Sequence, residues 1–137
     1  MNECVFCRIA EGEEKAEKIY ETDSVVSFLD INPKAPGHSL VIPKKHVKLL
    51  SDLDERLVVD VFKVTKDVVG ILKKALNPDA FNIGINDGRT AGQEIPHFHV
   101  NIFPRFKGDG GRCIRYIVNN PPIEEISETA KKIRQYL

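Results

Sequence analysis

The chain has no tryptophan, a single methionine and only three cysteines among 137 residues. No apolar run approaches the roughly 18 residues a bilayer span needs, so no membrane-crossing helix is expected. The opening stretch, Met1 to Glu14, is polar and acidic and lacks the apolar centre of a secretory signal. A cytoplasmic address is therefore the expectation, and there Cys4, Cys7 and Cys113 stay reduced. Their odd number also argues against a disulfide framework. Net charge is missing as well, with 20 Lys and Arg against 20 Asp and Glu. No global field draws the chain to nucleic acid or to an anionic membrane, so any phosphate must be held by a local site. Repeats, low-complexity tracts and linkers are absent. One domain over residues 1–137 is expected, long enough to bury a core without staples.

What is present reads as strands grouped around helices. Apolar residues alternate or run together over 17–31 (Ile19, Tyr20, Val25, Val26, Phe28, Leu29, Ile31) and 38–43 (Leu40, Val41, Ile42), the pattern of strands. The turn from Asn32 to Gly37 separates the last two. From Ser51 or Asp52 to about Leu76 the period changes. Leu57, Val61, Val64, Val68, Ile71 and Ala75 form one stripe of an amphipathic helix, with Ser51, Asp52 and Asp54 favouring its start. Strands resume at 81–86 and 97–103, joined by a Gly-rich connection from Asp87 to Gln93. Pro121 and Pro122 then open a last helix with Ile123, Ile126, Ala130, Ile133 and Leu137 on one face. Grouped strands with one inserted long helix and one C-terminal helix predict an α+β fold with an antiparallel sheet.

The segment from Pro96 to Phe103 carries the chemistry. On a strand, His97, His99 and Asn101 project from one face while Phe98, Val100 and Ile102 enter the core. Two imidazoles and an amide on one face are costly to bury without a purpose. Just upstream, Gly88 and Gly92 let backbone N–H groups approach an anion closely. A histidine strand behind such a loop is a plausible phosphate site; an exposed polar strand face is the plainer alternative.

Over nearly its whole length the sequence resembles the histidine triad nucleotide-binding family. The matching residues are Cys4-Val-Phe-Cys7, Phe28-Leu-Asp-Ile31, the run from Pro36 to His46, Asn86, Gly92-Gln93 and the strand from His97 to Phe103. The resemblance implies that His99 is a nucleophile taking up a nucleotidyl group. Imidazole is partly neutral near pH 7 and its neutral form carries a nucleophilic lone pair, which suits that task. The resemblance also implies that Asp30 binds the ribose hydroxyls and that Phe28 and Ile31 line the base pocket, although plain core is an equal reading for the latter two. Asn86, Gln93 and the amides near Gly92 and Ile95 are then expected on the phosphate. Purine nucleotides are the implied ligand class, and a homodimer the implied assembly, helped by the stripe on the 52–76 helix.

Asn101 departs from the His-x-His-x-His of most hydrolases in this family. A branch typified by galactose-1-phosphate uridylyltransferase carries an amide, Gln, at that place. An amide can hydrogen-bond a phosphate oxygen but cannot titrate as an acid near neutrality. Hydrolysis, nucleotidyl transfer and binding alone all stay open at this point, the last as a non-catalytic zinc-containing module. A processor of nucleic-acid ends is disfavoured by the neutral charge and the lack of a basic tail.

Cys4-x-x-Cys7 has the spacing of half a zinc site, and also of a redox pair. His46 and His97 are available to complete a Cys₂His₂ set, as some members of the resembled family do. Four protein ligands leave no open position, so that zinc is expected to be structural and to hold His97 beside His99. Cys113 has no partner at useful spacing and is expected to be packed. His38, beside the Pro36-Gly37 turn, is expected to be structural or solvent-facing.

Overall fold

The structure, a computed structural model, describes residues 2–137. In chain order it contains α1 (Val5–Glu11), β1 (Lys18–Glu21), β2 (Val25–Leu29), β3 (Ser39–Pro43), α2 (Glu55–Leu76), β4 (Ala80–Gly84), β5 (Val100–Arg105) and α3 (Ile126–Arg134), with short 3₁₀ turns at Leu50–Asp52, Arg89–Ala91 and Ile114–Tyr116. The five strands form one antiparallel sheet in the order β1-β2-β3-β5-β4. This is the α+β architecture expected.

Each face of the sheet meets a different helix. The side chains of Val25, Val41, Val100 and Ile102 pack with Leu57, Val61, Val64 and Val68 of α2. Burying one such aliphatic side chain contributes about 1.5–3 kcal/mol. On the other face Phe28, Leu40 and Ile42 meet Phe6 and Ile9 of α1. Coverage on both sides explains why β2 and β3 read as continuous apolar runs rather than strict alternations.

Several boundaries differ from the periodicity alone. Helix α2 starts at Glu55, capped by the Asp54 side chain, which accepts from the Leu57 N–H at 2.8 Å. Ser51 and Asp52 fall in the preceding 3₁₀ turn. Its last turn buries Leu72 and leaves Ile71 exposed, because a 3.6-residue period drifts away from a strict 4,3 spacing. Helix α1 went unread in the sequence: it is only 7 residues long, ends at Gly12 in the left-handed region, and buries Phe6, Cys7 and Ile9. Helix α3 begins at Ile126, four residues later than the double proline implies. Its stripe does not meet the core of this chain, since Ile123, Ile126, Ile133 and Leu137 are exposed. Cys113 is exposed rather than packed. Among the described residues, no helix is long and apolar enough to cross a membrane.

Candidate active site

The expected strand over 97–103 begins three residues later, at Val100. His97 and His99 precede it, and the chain there is pinned from the side. The Phe98 N–H donates to the Val47 carbonyl at 2.6 Å, drawing this segment against the stretch that follows β3. His97 is consequently fully buried, while His99 and Asn101 are half-buried. The two imidazoles therefore have separate environments instead of sharing one open strand face.

His97 turns toward the cysteines. Its Nε2–H donates to the Pro43 carbonyl at 2.8 Å, which leaves Nδ1 unprotonated. That nitrogen lies 3.4 Å from Cys4 Sγ, 3.5 Å from Cys7 Sγ and 3.3 Å from His46 Nδ1, with Cys7 Sγ 3.3 Å from His46 Nδ1. Zinc bonds of about 2.0–2.3 Å imply tetrahedron edges of about 3.3–3.8 Å between ligand atoms, so these separations suit such an ion. Cys4 caps α1 and Cys7 lies in its first turn, a spacing that brings both sulfurs to one side of the helix. Burial holds the His97 imidazole neutral down to about 4, and pushes the Cys7 thiol up to about 11. The first favours metal ligation; the second means that a binding cation must displace a proton.

His99 is oriented by the same segment. Its Nδ1–H donates to the His97 carbonyl at 2.8 Å, so Nε2 carries the lone pair. The ring sits edge-on to Phe6 at 5.2 Å between centroids. Asn101 points from β5 on the sheet face opposite α2, where the structure supplies a partner that the sequence did not reveal. His38 is buried, stacked on Phe103 at 4.1 Å. Its Nδ1 accepts from the Lys34 N–H at 3.2 Å, so Nε2–H donates to Asn101 Oδ1 at 3.0 Å. The amide is thereby oriented, with its Nδ2 donors directed away from His38. Asp30, at the end of β2, completes this cluster: Oδ1 accepts from the Asn32 N–H, and Oδ2 lies 3.7 Å from His38 Nε2.

Residues 11–108 match the model of the HIT domain. The chain belongs to the HIT family. An uncharacterised HIT-like protein of Methanocaldococcus jannaschii is 41% identical over 128 residues, covering 93% of this chain and 98% of that protein. An adenosine 5'-monophosphoramidase of Saccharomyces cerevisiae is 31% identical over 130 residues, covering 95% and 80% of the two chains. Among solved structures, a zinc-bound histidine triad family protein from Mycobacterium smegmatis superposes with a TM-score of 0.74 at 33% identity, covering 97% of this chain and 91% of that one. The family includes nucleotide hydrolases, and the Cys4, Cys7, His46 and His97 cluster of this HIT protein is compatible with zinc.

Not every expected nucleotide contact is placed to make one directly. In this HIT protein Gln93 is buried, and its amide is used at both ends: Oε1 accepts from the Gly88 N–H and Nε2 donates to the Lys48 carbonyl. Gln93 thus braces the loop over 86–93. Asp87 ties the same loop to the Leu50 N–H at 2.8 Å. Gly88 and Gly92 both adopt positive φ, near 101° and 102°, and a Cβ at Gly92 would crowd the Asn86 amide at 3.3 Å. Glycine there leaves Asn86 room to face the site. Phe28 is core, edge-on to Phe6 at 5.5 Å, and Ile95 packs beside them. Ile31 stands 84% exposed and belongs to neither apolar cluster.

Of the two readings expected for His38, the structure gives the structural one: it is buried and hydrogen-bonded. Its one sequence signal is its place directly before β3, but only the pairing of Leu40 with Asn101 across β3 and β5 reveals what it meets.

Proposed function

We propose that this HIT protein cleaves purine nucleoside phosphates at the α-phosphorus through a nucleotidyl-His99 intermediate. The observation that carries this is the His99 tautomer. With Nδ1–H committed to the His97 carbonyl, the Nε2 lone pair is available for in-line attack and a positive charge on the ring is stabilised by that carbonyl. In the first step the Nε2–P bond forms, the bond from phosphorus to the leaving group breaks, and the leaving group departs with the electron pair. In the second step water attacks phosphorus, its proton passes to solvent, and the P–N bond breaks to return neutral His99. The Asn101 Nδ2 donors and Asn86 stabilise charge growing on the phosphoryl oxygens. Phe6 and Ile31 flank the base. A zinc ion held by Cys4, Cys7, His46 and His97 supplies structural support only, by fixing the carbonyl that orients His99. The relative that acts as an adenosine monophosphoramidase supports this chemistry.

Asp30 serves the ribose. Its Oδ1 is already engaged by Asn32, so Oδ2 is the acceptor left for a hydroxyl. Asp30→Asn should weaken ribonucleotide binding by roughly 1–3 kcal/mol, the cost of a poorly matched buried polar partner. A 2′,3′-dideoxynucleotide should bind wild type and variant alike. Calorimetry in which the wild type fails to distinguish ribo from dideoxy ligands contradicts the assignment.

Asn101 sets the leaving-group preference, because an amide donates hydrogen bonds but has no titrating proton. Amine leaving groups, which need protonation, should react slowly, and phosphate-type leaving groups should be less affected. Asn101→His should then speed phosphoramidate turnover by about tenfold or more, within the ~10²–10⁴-fold that positioned acid–base catalysis can supply. The new imidazole should also make the rate fall as pH rises above neutrality. An unchanged rate and pH profile in pre-steady-state kinetics would show that position 101 does not govern protonation.

A further inference from the structure

Cys4 and Cys7 are placed for a second chemistry besides metal ligation. Cys7 lies in the first turn of α1 and Cys4 is its N-cap. Residues three apart on a helical turn have Cα atoms about 5 Å apart, inside the roughly 4.4–6.8 Å that a disulfide spans. The two sulfurs lie within 4.8 Å of each other. Cys4 is free to rotate toward its neighbour, because its side chain makes no capping bond and its backbone is extended rather than helical. All three cysteines of the described residues are free, and Cys113 is not part of this cluster. Cys4 is half-buried and Cys7 only 3% exposed. An oxidant arriving from solvent therefore meets Cys4 first, with Cys7 behind it as the second sulfur.

Two routes carry the state of this pair to His99. Phe6, between the two cysteines in sequence, stands edge-on to both His97 and His99, at 5.9 and 5.2 Å between centroids. His97 Nδ1 lies 3.4 and 3.5 Å from the two sulfurs, while its carbonyl accepts the Nδ1–H of His99. A sulfur engaged in a disulfide is no longer a thiolate, the form that binds metal, so a disulfide and a four-ligand centre exclude each other. Where the disulfide forms, His97 and His46 lose their common centre, and the carbonyl that orients His99 loses its support.

Resting on the reading of His99 as nucleophile, we propose that Cys4 and Cys7 form an oxidative modification site, where a peroxide closes a reversible disulfide, releases the metal and turns the nucleophile off. The Cys4 thiolate attacks one peroxide oxygen. The S–O bond forms, the O–O bond breaks, and hydroxide leaves and takes a proton to become water. The Cys7 sulfur then attacks the Cys4 sulfenic acid; the S–S bond forms, the S–O bond breaks, and the second oxygen leaves as water. Two thiols and one hydrogen peroxide thus give one disulfide and two waters. When both sulfurs are thiolates on a divalent cation, the two protons come from solvent and the cation departs. A neighbouring resolving thiol also spares Cys4 from irreversible oxidation to the sulfinic acid. A dithiol reductant restores the pair through a mixed disulfide.

The test uses the full chain purified without chelator, and its first two readouts need no nucleotide. Reduced protein is treated with hydrogen peroxide beside a colorimetric zinc chelator, then denatured and alkylated with iodoacetamide. Zinc release should keep step with the loss of two alkylated thiols, leaving one of the three. Peptide mapping should join Cys4 to Cys7. Over the same peroxide range kcat for adenosine phosphoramidate should fall about tenfold or more, and it should return with dithiothreitol and zinc. Cys113→Ser alters an exposed position, so it should fold normally and leave zinc release, the mapped disulfide and the fall in kcat unchanged. Oxidation of Cys113 with Cys4 and Cys7 still alkylated overturns the site, as does zinc loss without a Cys4–Cys7 bond or a complete disulfide with kcat unchanged. Protein carrying no zinc decides the matter by the mapped disulfide and kcat alone. A Cys4–Cys7 disulfide formed in step with zinc release, with no substrate turned over by either form, would instead retain the modification site and contradict the catalytic role of His99.

Discussion

Replacing His99 with asparagine is expected to stop nucleotide cleavage, lowering kcat/KM by on the order of 10⁴-fold or more, while nucleotide binding stays within a few fold. Asparagine keeps a side-chain amide that can still donate to the His97 carbonyl, so the local hydrogen bond survives in part. What disappears is the lone pair on Nε2, and with it the P–N bond that divides the reaction into two steps. Steady-state rates with adenosine phosphoramidate, set beside calorimetric affinity for the product nucleotide, separate these effects. A variant retaining a tenth of wild-type activity would mean that water attacks phosphorus directly. The site would then be an electrostatic cradle without a nucleophile.

The second large effect concerns the metal cluster. Protein purified without chelator should carry about one zinc per chain, and Cys7→Ser should lose it. Cys7 is buried on α1 between His46 and His97, so its loss removes a ligand and leaves the two imidazoles and Cys4 without a common centre. Apparent zinc binding energies of about 10–16 kcal/mol in small zinc-finger domains appear as folding energy. Even a modest fraction of that should lower Tm by more than about 10 °C in a chain of this size. Because the His97 carbonyl orients His99, kcat should fall as well, with KM less affected. Metal analysis finding no zinc, or an unchanged Tm in Cys7→Ser, would make the cluster a reduced packing motif.

Much of this was legible in the residues, and the exceptions share a physical reason. The apolar runs of β2 and β3 and the stripe of α2 are local signals, and each element forms within the stretch its period marks, with the start of α2 shifted to Glu55. The chemistry of Cys4, Cys7, His46 and His97 could be listed from residue types; their common point in space depends on α1 docking onto β2 and β3. The partner of His38 is not legible in the sequence because it is set by long-range register, Leu40 against Asn101, which no neighbouring residue reports. The resemblance implies Gln93 on the phosphate; the residue alone does not report that its amide also bonds the Gly88 N–H and the Lys48 carbonyl. The α3 stripe is legible as one apolar face, but apolar periodicity says nothing of what covers it, and in this chain it stands exposed. The start of β5 lies later than the residue pattern implies because the Phe98–Val47 bond and the contacts of His97 with Cys4, Cys7 and His46, all tertiary, draw His97 out of the strand.

The most direct test is to trap the intermediate. Mixing the protein with excess adenosine phosphoramidate, quenching within the first turnover and measuring intact mass should reveal a population heavier by one adenylyl group. Proteolysis under conditions that spare the P–N bond should place that group on His99, and His99→Asn should show none. Turnover that proceeds with no adduct at any quench time, or an adduct on another residue, would contradict His99 as the nucleophile.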